Sequence, residues 1–292
     1  MILVTGATGY TGRFVVSRLL EKGHRLRLLV RAESDTSQIV NSGDSIEIRI
    51  GDLGSVESLR LACEGVESVV NVASIRFASS FVQALRKCDI KHLIAISSLR
   101  LFSKVPSATV NAVKFSEETL ISSGLPVTIL RPSMIFGPGG DHNISKLVTL
   151  LLRRGWLPVI GSGCHLHQPV YVEDVADAVV SSIDRESIVC GRQYAIAGPE
   201  PLSYLELIDQ LGEVIGVCPR RIHVPTTLAT IILKFMEKFG MRLPVTSEQI
   251  LRLQEDKVYD IGPARNDLGY DPLTFLDALQ IIHRSVSHKE IA

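Results

Sequence analysis

The sequence has no excess of charge, no long apolar run and few cysteines. Its 31 basic and 31 acidic residues give a formal net charge of zero, which argues against a dominant surface for nucleic acid or for an anionic membrane. The most apolar late stretch, residues 228–233, ends at Lys234 and falls far short of the ~20 residues that span a bilayer. We therefore expect a protein with no membrane span and no nucleic-acid partner.

The cysteines are scattered and odd in number, at positions 63, 88, 164, 190 and 218. This pattern fits free thiols in a reducing compartment better than a disulfide framework. A strand-like pattern begins at residue 2, which leaves no room for a signal peptide. The sequence predicts a cytoplasmic protein whose 292 residues form one large domain or two modest ones.

Three glycines spaced three apart follow the first apolar run. Ile2-Leu3-Val4 reads as a buried strand, and a helical pattern begins after Gly12. In this setting Gly6 would permit a tight turn, Gly9 would let a pyrophosphate approach the backbone, and Gly12 would let the helix pack against the strand. The motif predicts dinucleotide binding at a helix N-terminus. The alternative is an ordinary strand–helix turn.

Strand and helix patterns alternate through the first 130 residues. Apolar runs at 26–30, 46–50, 68–72, 92–96 and 126–130 predict strands, and the segments 13–22, 55–63, 79–88 and 110–122 predict helices. This order is typical of an α/β fold with a doubly wound parallel sheet. We expect a Rossmann domain over residues 1–140, to which 168–198 returns, and a smaller, mostly helical lobe from 141–167 and 199–292.

The regular alternation of predicted strands and helices ends in the second half of the chain. We expect a helix at 143–154, a turn-rich segment at 155–163, a strand at 168–172, a helix at 173–183 and a strand at 193–197. Ser203 and Glu206 form a capping-box pattern for a helix ending near 215, and residues 246–249 form a second capping pattern. The tail is predicted to be helical at 273–287.

The predicted second strand ends in Arg31, and Glu33 follows two positions later. An arginine at this point suits the 2′-phosphate of NADP, whereas an acidic residue would bind the ribose hydroxyl of NAD. We favour NADP, with NAD and a ribose contact from Glu33 as the alternative. Asp52 and Leu53 follow the third strand, where they would contact adenine, although Asp52 would equally suit a turn before Ser55.

These motifs together resemble the short-chain dehydrogenase/reductase superfamily, in its extended or atypical branch. The similar segments are Thr5–Gly12, Gly51–Leu53, Ile96–Ser98, Ile129–Pro132 with Phe136–Gly139, Pro169–Ala176 and Glu255–Pro272. The resemblance implies a cofactor site that includes Gly6, Thr8, Gly9, Tyr10, Thr11, Gly12, Arg31, Asp52, Leu53, Val72, Ala73, Ser97, Lys114 and Pro132. It implies an oxidoreductase or a nucleotide-sugar epimerase-like protein with a nicotinamide cofactor.

The sequence departs from this family at the catalytic pair. The family has a tyrosine and a lysine four residues apart on one helix face, where the tyrosine transfers the proton and the lysine holds the ribose. Here the aligned lysine is Lys114, and Val110 stands in place of the tyrosine. In this respect the chain resembles complex I accessory-subunit-like and NmrA-like proteins. Lys114 is a candidate ribose contact, or a solvated lysine paired with Glu117 or Glu118.

Few residues of the sequence are candidates to replace the missing tyrosine as the proton donor. Ser97 and Ser98 end a predicted central strand, where they would bond to a nicotinamide or substrate carbonyl, or else to the loop backbone. His165 and His167 lie on one face of an extended segment, but two histidines rarely form a metal site alone, and we predict no metal. Because histidine titrates near physiological pH, His167 is a candidate proton donor with Ser98 and Lys114.

The sequence leaves two functions open. The first is an oxidoreductase or epimerase-like protein that binds a small-molecule substrate in the cleft between its lobes. The second is a non-catalytic NADP(H)-binding redox sensor or accessory subunit that presents a surface to a protein partner.

Overall fold

The computed structural model describes residues 1–37, 45–141, 143–239 and 247–289. Within these ranges a sheet of seven parallel strands forms the centre of the fold, in the spatial order β11-β6-β5-β4-β1-β2-β3. Its strands are β1 (Ile2–Thr5), β2 (Leu26–Val30), β3 (Ile46–Ile50), β4 (Ser68–Asn71), β5 (His92–Ile96), β6 (Val127–Pro132) and β11 (Gln193–Ile196).

Short strands form three additional pairs. β7 (Ile135–Phe136) pairs with β10 (Val170–Tyr171), β8 (Trp156–Ile160) with β13 (Arg220–Val224), and β9 (Leu166–His167) with β12 (Leu202–Ser203). The first two pairs are parallel and the third is antiparallel. These pairs lie in the second half of the chain, apart from β7, and they extend the fold beyond the central sheet.

Helices cover the sheet and form most of the C-terminal region. They are α1 (Tyr10–Glu21), α2 (Val56–Ala62), α3 (Ala78–Leu85), α4 (Ala108–Ile121), α5 (Ile144–Arg154), α6 (Val172–Asp184), α7 (Glu186–Val189), α8 (Tyr204–Ile215), α9 (Thr226–Lys238), α10 (Ser247–Leu253), α11 (Gly262–Leu268) and α12 (Phe275–Lys289). The prediction of a doubly wound parallel sheet with a helical C-terminal region is confirmed.

The central strands bury both faces, which explains their continuous apolar runs. In β1, Val4 joins the cluster containing Val15 of α1 and Val179 of α6. Leu3 points the other way, into the cluster containing Leu59 of α2 and Phe81 of α3. Successive strand residues therefore anchor helices on opposite faces of the sheet.

Two local predictions in the second half were wrong in detail. The segment expected to be turn-rich contains β8, which pairs with a strand some sixty residues later. Of the strand expected at 168–172, only Val170–Tyr171 forms a strand, β10. β9 lies just before the expected range and pairs with β12, whereas β10 pairs with β7. The capping box of Ser203 and Glu206 is confirmed. Thr246 of the second capping pattern lies outside the described residues.

Candidate cofactor and substrate site

The carboxyl ends of the parallel strands lie side by side along one edge of the sheet. In spatial order the strands end at Ile196, Pro132, Ile96, Asn71, Thr5, Val30 and Ile50. The chain order reverses between β1 and β4, and open α/β sheets bind ligands at such a switch point. The turn after β1 therefore opens at the point where a dinucleotide would lie.

The glycines of this turn are required by its geometry. Gly6 has a φ of +75°, and a Cβ on it would stand 2.6 Å from the nitrogen of Ala73. A Cβ on Gly12 would lie 1.9 Å from the carbonyl oxygen of Gly6. Gly9 donates its N–H to the same carbonyl at 3.0 Å. The turn is folded so tightly that side chains at Gly6 and Gly12 cannot be accommodated.

The N-terminus of α1 is left open. Among the described residues, no side chain caps it, and Gly9 occupies the N-cap position. Ser55, Ser107 and Ser203 cap α2, α4 and α8, whereas α3, α5, α6, α7 and α11 resemble α1 in that their N-cap residues form no side-chain cap. What distinguishes α1 is its position at the switch point of the sheet. The first N–H groups of a helix need partners and carry a partial positive charge. The open turn at α1 therefore fits a diphosphate.

The ends of β2 and β3 form the adenosine side of this edge. Arg31 is exposed, and its Nε lies 3.4 Å from Oε1 of Glu33. The predicted 2′-phosphate ligand and the alternative ribose ligand are therefore paired with each other. Asp52 accepts the N–H of Gly54 at 2.8 Å and donates its own N–H to Ser58 Oγ at 3.0 Å. Asp52 thus shapes the loop after β3, while Leu53 is half-buried.

A buried ion pair lies at the ends of β5 and β6. Glu117 of α4 is 4% exposed and receives the Arg131 guanidinium through Nε and Nη2, at 2.9 and 2.5 Å to Oε2. Ser97 donates its hydroxyl to Oε1 of the same carboxylate. Burying such a pair requires that its hydrogen bonds are satisfied, and the network fixes α4 against both strands. Glu117 is therefore bonded to Arg131 rather than to Lys114.

Val110 and Lys114 lie differently on α4. Val110 is 2% exposed, so the position that resembles the family tyrosine is filled by a buried aliphatic side chain. Lys114 is exposed and makes no hydrogen bond or ion pair with a described residue. Ser98 is half-buried, and its Oγ accepts the N–H of Arg100 at 3.2 Å. The assignments of Ser98 and Lys114 stay predictions.

His167 is buried beside a lysine that the sequence did not single out. Its Nδ1 lies 3.4 Å from Nζ of Lys257, and burial together with Lys257 lowers the pKa of His167 to about 3. The imidazole is therefore neutral near pH 7 and does not titrate there as the sequence argument assumed. Burial, with Arg252, lowers the pKa of Lys257 to about 8.

Arg252 and Arg100 extend this group of cations. The Arg252 side chain is 14% exposed, and no described residue accepts a hydrogen bond from its buried Nε. Burial lowers the pKa of Arg252, and so does the nearby charge of Arg100. Arg100 also lowers the pKa of Lys257. Three cations therefore lie near the end of β5 together with the carboxylates of Glu248, 3.9 Å from Nη1 of Arg252, and Glu255. The Nε of Arg252 has no hydrogen-bond partner among the described residues.

The segment that carries these groups is attached to the sheet edge. Glu255 accepts from Ser103 Oγ at 2.7 Å and from the N–H groups of Lys104 and Val105 at 2.6 and 3.2 Å. Lys257 donates its N–H to the carbonyl of Leu166 at 2.8 Å. The 255–257 tripeptide belongs to a motif seen in the sequence, but nothing in the local sequence assigned it to this edge of the sheet.

The other predicted cofactor residues lie along the same edge. Val72 donates its N–H to Thr5 at 3.0 Å, which holds Ala73 against the glycine turn. Thr8 is exposed, Tyr10 and Thr11 are half-buried, and Pro132 is buried at the end of β6. The structure thus brings the predicted residues of the glycine turn and the strand ends to one edge, while Arg31 and Lys114 stand exposed.

Comparison with known proteins supports a nucleotide-binding site at this edge of the sheet. A family described as NAD(P)H-binding matches residues 6–186. The chain is 26% identical over 280 residues to NADH dehydrogenase [ubiquinone] 1 alpha subcomplex subunit 9, mitochondrial, of Arabidopsis thaliana, covering 86% of this chain and 67% of that one. It is 24% identical over 325 residues to 2-alkyl-3-oxoalkanoate reductase of Stenotrophomonas maltophilia, covering 93% and 94%.

Solved structures show the same fold. The UDP-glucuronic acid 4-epimerase of Bacillus cereus in complex with NAD superimposes with a TM-score of 0.77 at 17% identity, over 99% of each chain. The chain therefore belongs to the NAD(P)H-binding family, as an atypical member of the short-chain dehydrogenase/reductase superfamily with an epimerase-like fold, and the resemblance drawn from its motifs is confirmed.

Proposed function

We propose that this protein uses a nicotinamide cofactor to interconvert a ketone and an alcohol in a small anionic compound. The glycine turn and the open N-terminus of α1 would hold the diphosphate, and the ends of β4, β5 and β6 would face the nicotinamide. The bound cofactor supplies hydride chemistry. Five free thiols support the prediction that the protein works in the cytoplasm.

The observation that carries the substrate class is the group of cations at the end of β5. A buried guanidinium with an unpaired N–H is costly unless a partner completes its hydrogen bonds. Arg100, Arg252 and Lys257 together favour a carboxylate or a phosphate. Because Arg100 lies two residues after Ser98, an anion bound there would stand beside the strand end at which the ketone is expected.

A relative supports the same chemistry. The name 2-alkyl-3-oxoalkanoate reductase describes the reduction of a ketone two bonds from a carboxylate. That relative and this chain match over nearly their whole lengths. We infer that a 3-oxo acid is the first substrate class to test, with Ser98 and Lys257 as candidates for donating the proton and Lys114 for holding the ribose. His167, whose pKa of about 3 leaves it neutral near pH 7, is not retained as the donor.

The test is a turnover screen with matched ketones. Purified protein with NADPH or NADH is offered 3-oxo acids and neutral ketones of equal chain length. We expect turnover of the acids, and we expect Arg252→Gln to raise their KM by about ten- to a hundredfold, the cost of one hydrogen bond to a charged group. The neutral ketones should be unaffected.

Arg60→Gln is the matched control. Arg60 is paired with Glu57 and Glu64 on the outer face of α2, so its loss should leave both ketone classes unchanged. An equal change in KM for acids and neutral ketones in Arg252→Gln would contradict the assignment of an anion site.

We also propose that the cofactor is NADP(H) in preference to NAD(H). Arg31 is exposed at the end of β2 and has only the nearby Glu33 as an ionic partner among the described residues. A 2′-phosphate would compete for this guanidinium and bind it more strongly than a ribose hydroxyl. We expect Arg31→Asp to weaken NADPH binding about tenfold or more and to leave NADH nearly unchanged, as measured by fluorescence titration.

Arg49→Gln, on the neighbouring strand, is the control for this titration, because Arg49 is exposed and already paired with Glu47. Glu33→Gln should tighten NADPH binding by freeing Arg31. If Arg31→Asp weakened both nucleotides equally, the phosphate assignment would be wrong.

A second function is favoured by the residue at position 110 and by one relative. Val110 fills the position that resembles the catalytic tyrosine, and it is buried. One relative is named as a subunit of an NADH dehydrogenase complex. We therefore keep a non-catalytic, cofactor-binding subunit as the alternative. Tight binding of the nucleotide without turnover in the ketone screen would favour it.

A further inference from the structure

A loop after β7 lies against the first turn of α1. It comprises residues 137–141 and contains the glycine–proline motif of the sequence. A Cβ on Gly137 would stand 2.9 Å from the hydroxyl of Tyr10, and Tyr10 is the first residue of α1. The 137–141 loop is therefore packed beside the turn that would hold the diphosphate.

Arg13 holds this loop from the helix side. It lies in the first turn of α1, and its Nη2 donates to the carbonyl oxygens of Gly139 at 2.7 Å and Pro138 at 3.4 Å. Its guanidinium carbon lies 5.2 Å from the centre of the Tyr10 ring and 5.3 Å from that of Phe14. Contact with two aromatic rings favours one orientation of the guanidinium, so the arginine joins the helix start to the loop in a defined way.

The far end of the loop is fixed independently of α1. Asp141 is 6% exposed, and its carboxylate accepts the N–H groups of Asn143 and Ser145 at 2.8 and 3.2 Å. Among the described residues, no side chain other than that of Arg13 donates a hydrogen bond to residues 137–140. The position of these four residues therefore depends on Arg13 more than on any other polar side chain.

Two buried donors at this contact have no acceptor among the described residues. They are the hydroxyl of Tyr10 and the Nε–H of Arg13. Burial raises the pKa of Tyr10, so its hydroxyl keeps the proton and stays a donor. A buried donor is costly unless a partner completes its hydrogen bond, and a nucleotide diphosphate at the N-terminus of α1 would bring acceptor oxygens to this turn.

From these contacts we propose that Arg13 is a positioning residue that couples binding of the nicotinamide nucleotide to the position of the 137–141 loop. A diphosphate would fix the first turn of α1, and the guanidinium would transmit this order to the carbonyls of residues 138 and 139. Such coupling is reciprocal, so a loop that is held by Arg13 also strengthens binding of the nucleotide. This role of Arg13 rests on the proposed nicotinamide site and is independent of the ketone that reacts.

The test compares hydrogen exchange in the full-length protein with and without NADPH or NADH, whichever binds more tightly. In the wild-type protein we expect the saturating nucleotide to slow exchange about fivefold or more in both the glycine turn and residues 139–141. In Arg13→Met the glycine turn should stay protected, whereas the loop should lose its protection. The Kd of the nucleotide should rise about three- to tenfold, equivalent to one net hydrogen bond.

Two further variants separate positioning from a general loss of stability. Arg13→Lys should restore part of the loop protection, because an ammonium group can donate to one of the two carbonyls. Gly139→Ala tests the contact from the loop side, since a Cβ at Gly139 would stand 2.4 Å from Nη2 of Arg13. It should lose the same protection although the arginine is present.

Arg86→Met is the matched control, because Arg86 also donates from Nη2 to a backbone carbonyl, that of Ser123 at 3.4 Å. It should leave both the Kd of the nucleotide and the protection of the loop unchanged. Equal protection of the loop in the wild-type protein and in Arg13→Met would overturn the role of Arg13 and leave the nucleotide site intact. A wild-type protein that bound neither nucleotide would overturn the proposed cofactor as well.

Discussion

Lys257 is the buried group at this edge of the sheet whose altered pKa lies nearest to physiological pH. Its ammonium group lies beside the neutral His167, and the charges of Arg252 and Arg100 lower its pKa while that of Glu255 raises it. Burial disfavours the charged form of a lysine, and its pKa falls to about 8. Near pH 7 the group still holds a proton that it can release, which suits a general acid.

We expect the rate of ketone reduction to fall as the pH rises through about 8, the pKa of Lys257, because the donor is then deprotonated. Oxidation of the alcohol should rise over the same range, since it requires the unprotonated amine. Lys257→Met should lower kcat about a hundredfold and remove this limb from the pH profile of kcat. Steady-state kinetics between pH 6 and 10 measures both effects.

Lys91→Met is the matched control, because Lys91 is exposed and paired with Glu67. A Lys257→Met variant that kept the wild-type pH profile would show that another group provides the proton. Ser98 would then be the next candidate.

At the level of elements, the sequence predicted the first half of the fold well because its signals are local. Strands buried on both faces read as apolar runs, and short connections separate them from amphipathic helices. The glycine turn lies within residues 6–12, so one segment is enough to identify it. The helix bounds nevertheless shifted by one to three residues, as capping by Ser55 and Ser107 shows.

The missed elements depend on contacts between distant residues. β8 contains Pro158 and lies in a turn-rich segment, and it becomes a strand through its pairing with β13. The cation group joins residues near 100 to residues 252–257, and Glu117 reaches Arg131 only because α4 packs over the ends of β5 and β6. Periodicity along the chain carries no information about such pairings, so the cation group and the buried ion pair were not predictable in the same way.

At the level of the whole molecule, one segment joins the C-terminal region to the sheet. Tyr259 donates its N–H to Gln168 Oε1 at 2.8 Å, and the amide of Gln168 donates to Gly198 at 2.7 Å. Four residues before Tyr259, Glu255 accepts hydrogen bonds from Ser103, Lys104 and Val105. The position of Lys257 and Arg252 over the sheet edge therefore depends on these polar contacts.

We expect Glu255→Ala to loosen this junction, because it leaves the N–H groups of Lys104 and Val105 without their carboxylate acceptor. The free energy of unfolding should fall by about 1–3 kcal/mol, the cost of a lost hydrogen bond to a charged group. The amides of residues 104 and 105 should exchange hydrogen at least tenfold faster. Urea denaturation and hydrogen exchange measure the two effects separately.

Glu57→Ala provides the comparison, since Glu57 is exposed and its ionic partner Arg60 keeps a second bond to Glu64. It should change the free energy of unfolding by less than about 0.5 kcal/mol. If Glu255→Ala accelerated exchange throughout the chain rather than near residues 104 and 105, the carboxylate would contribute to global stability alone. Faster exchange at residues 104 and 105 alone, together with a raised KM for anionic ketones, would show that the contact of Glu255 with residues 103–105 positions the cations for binding.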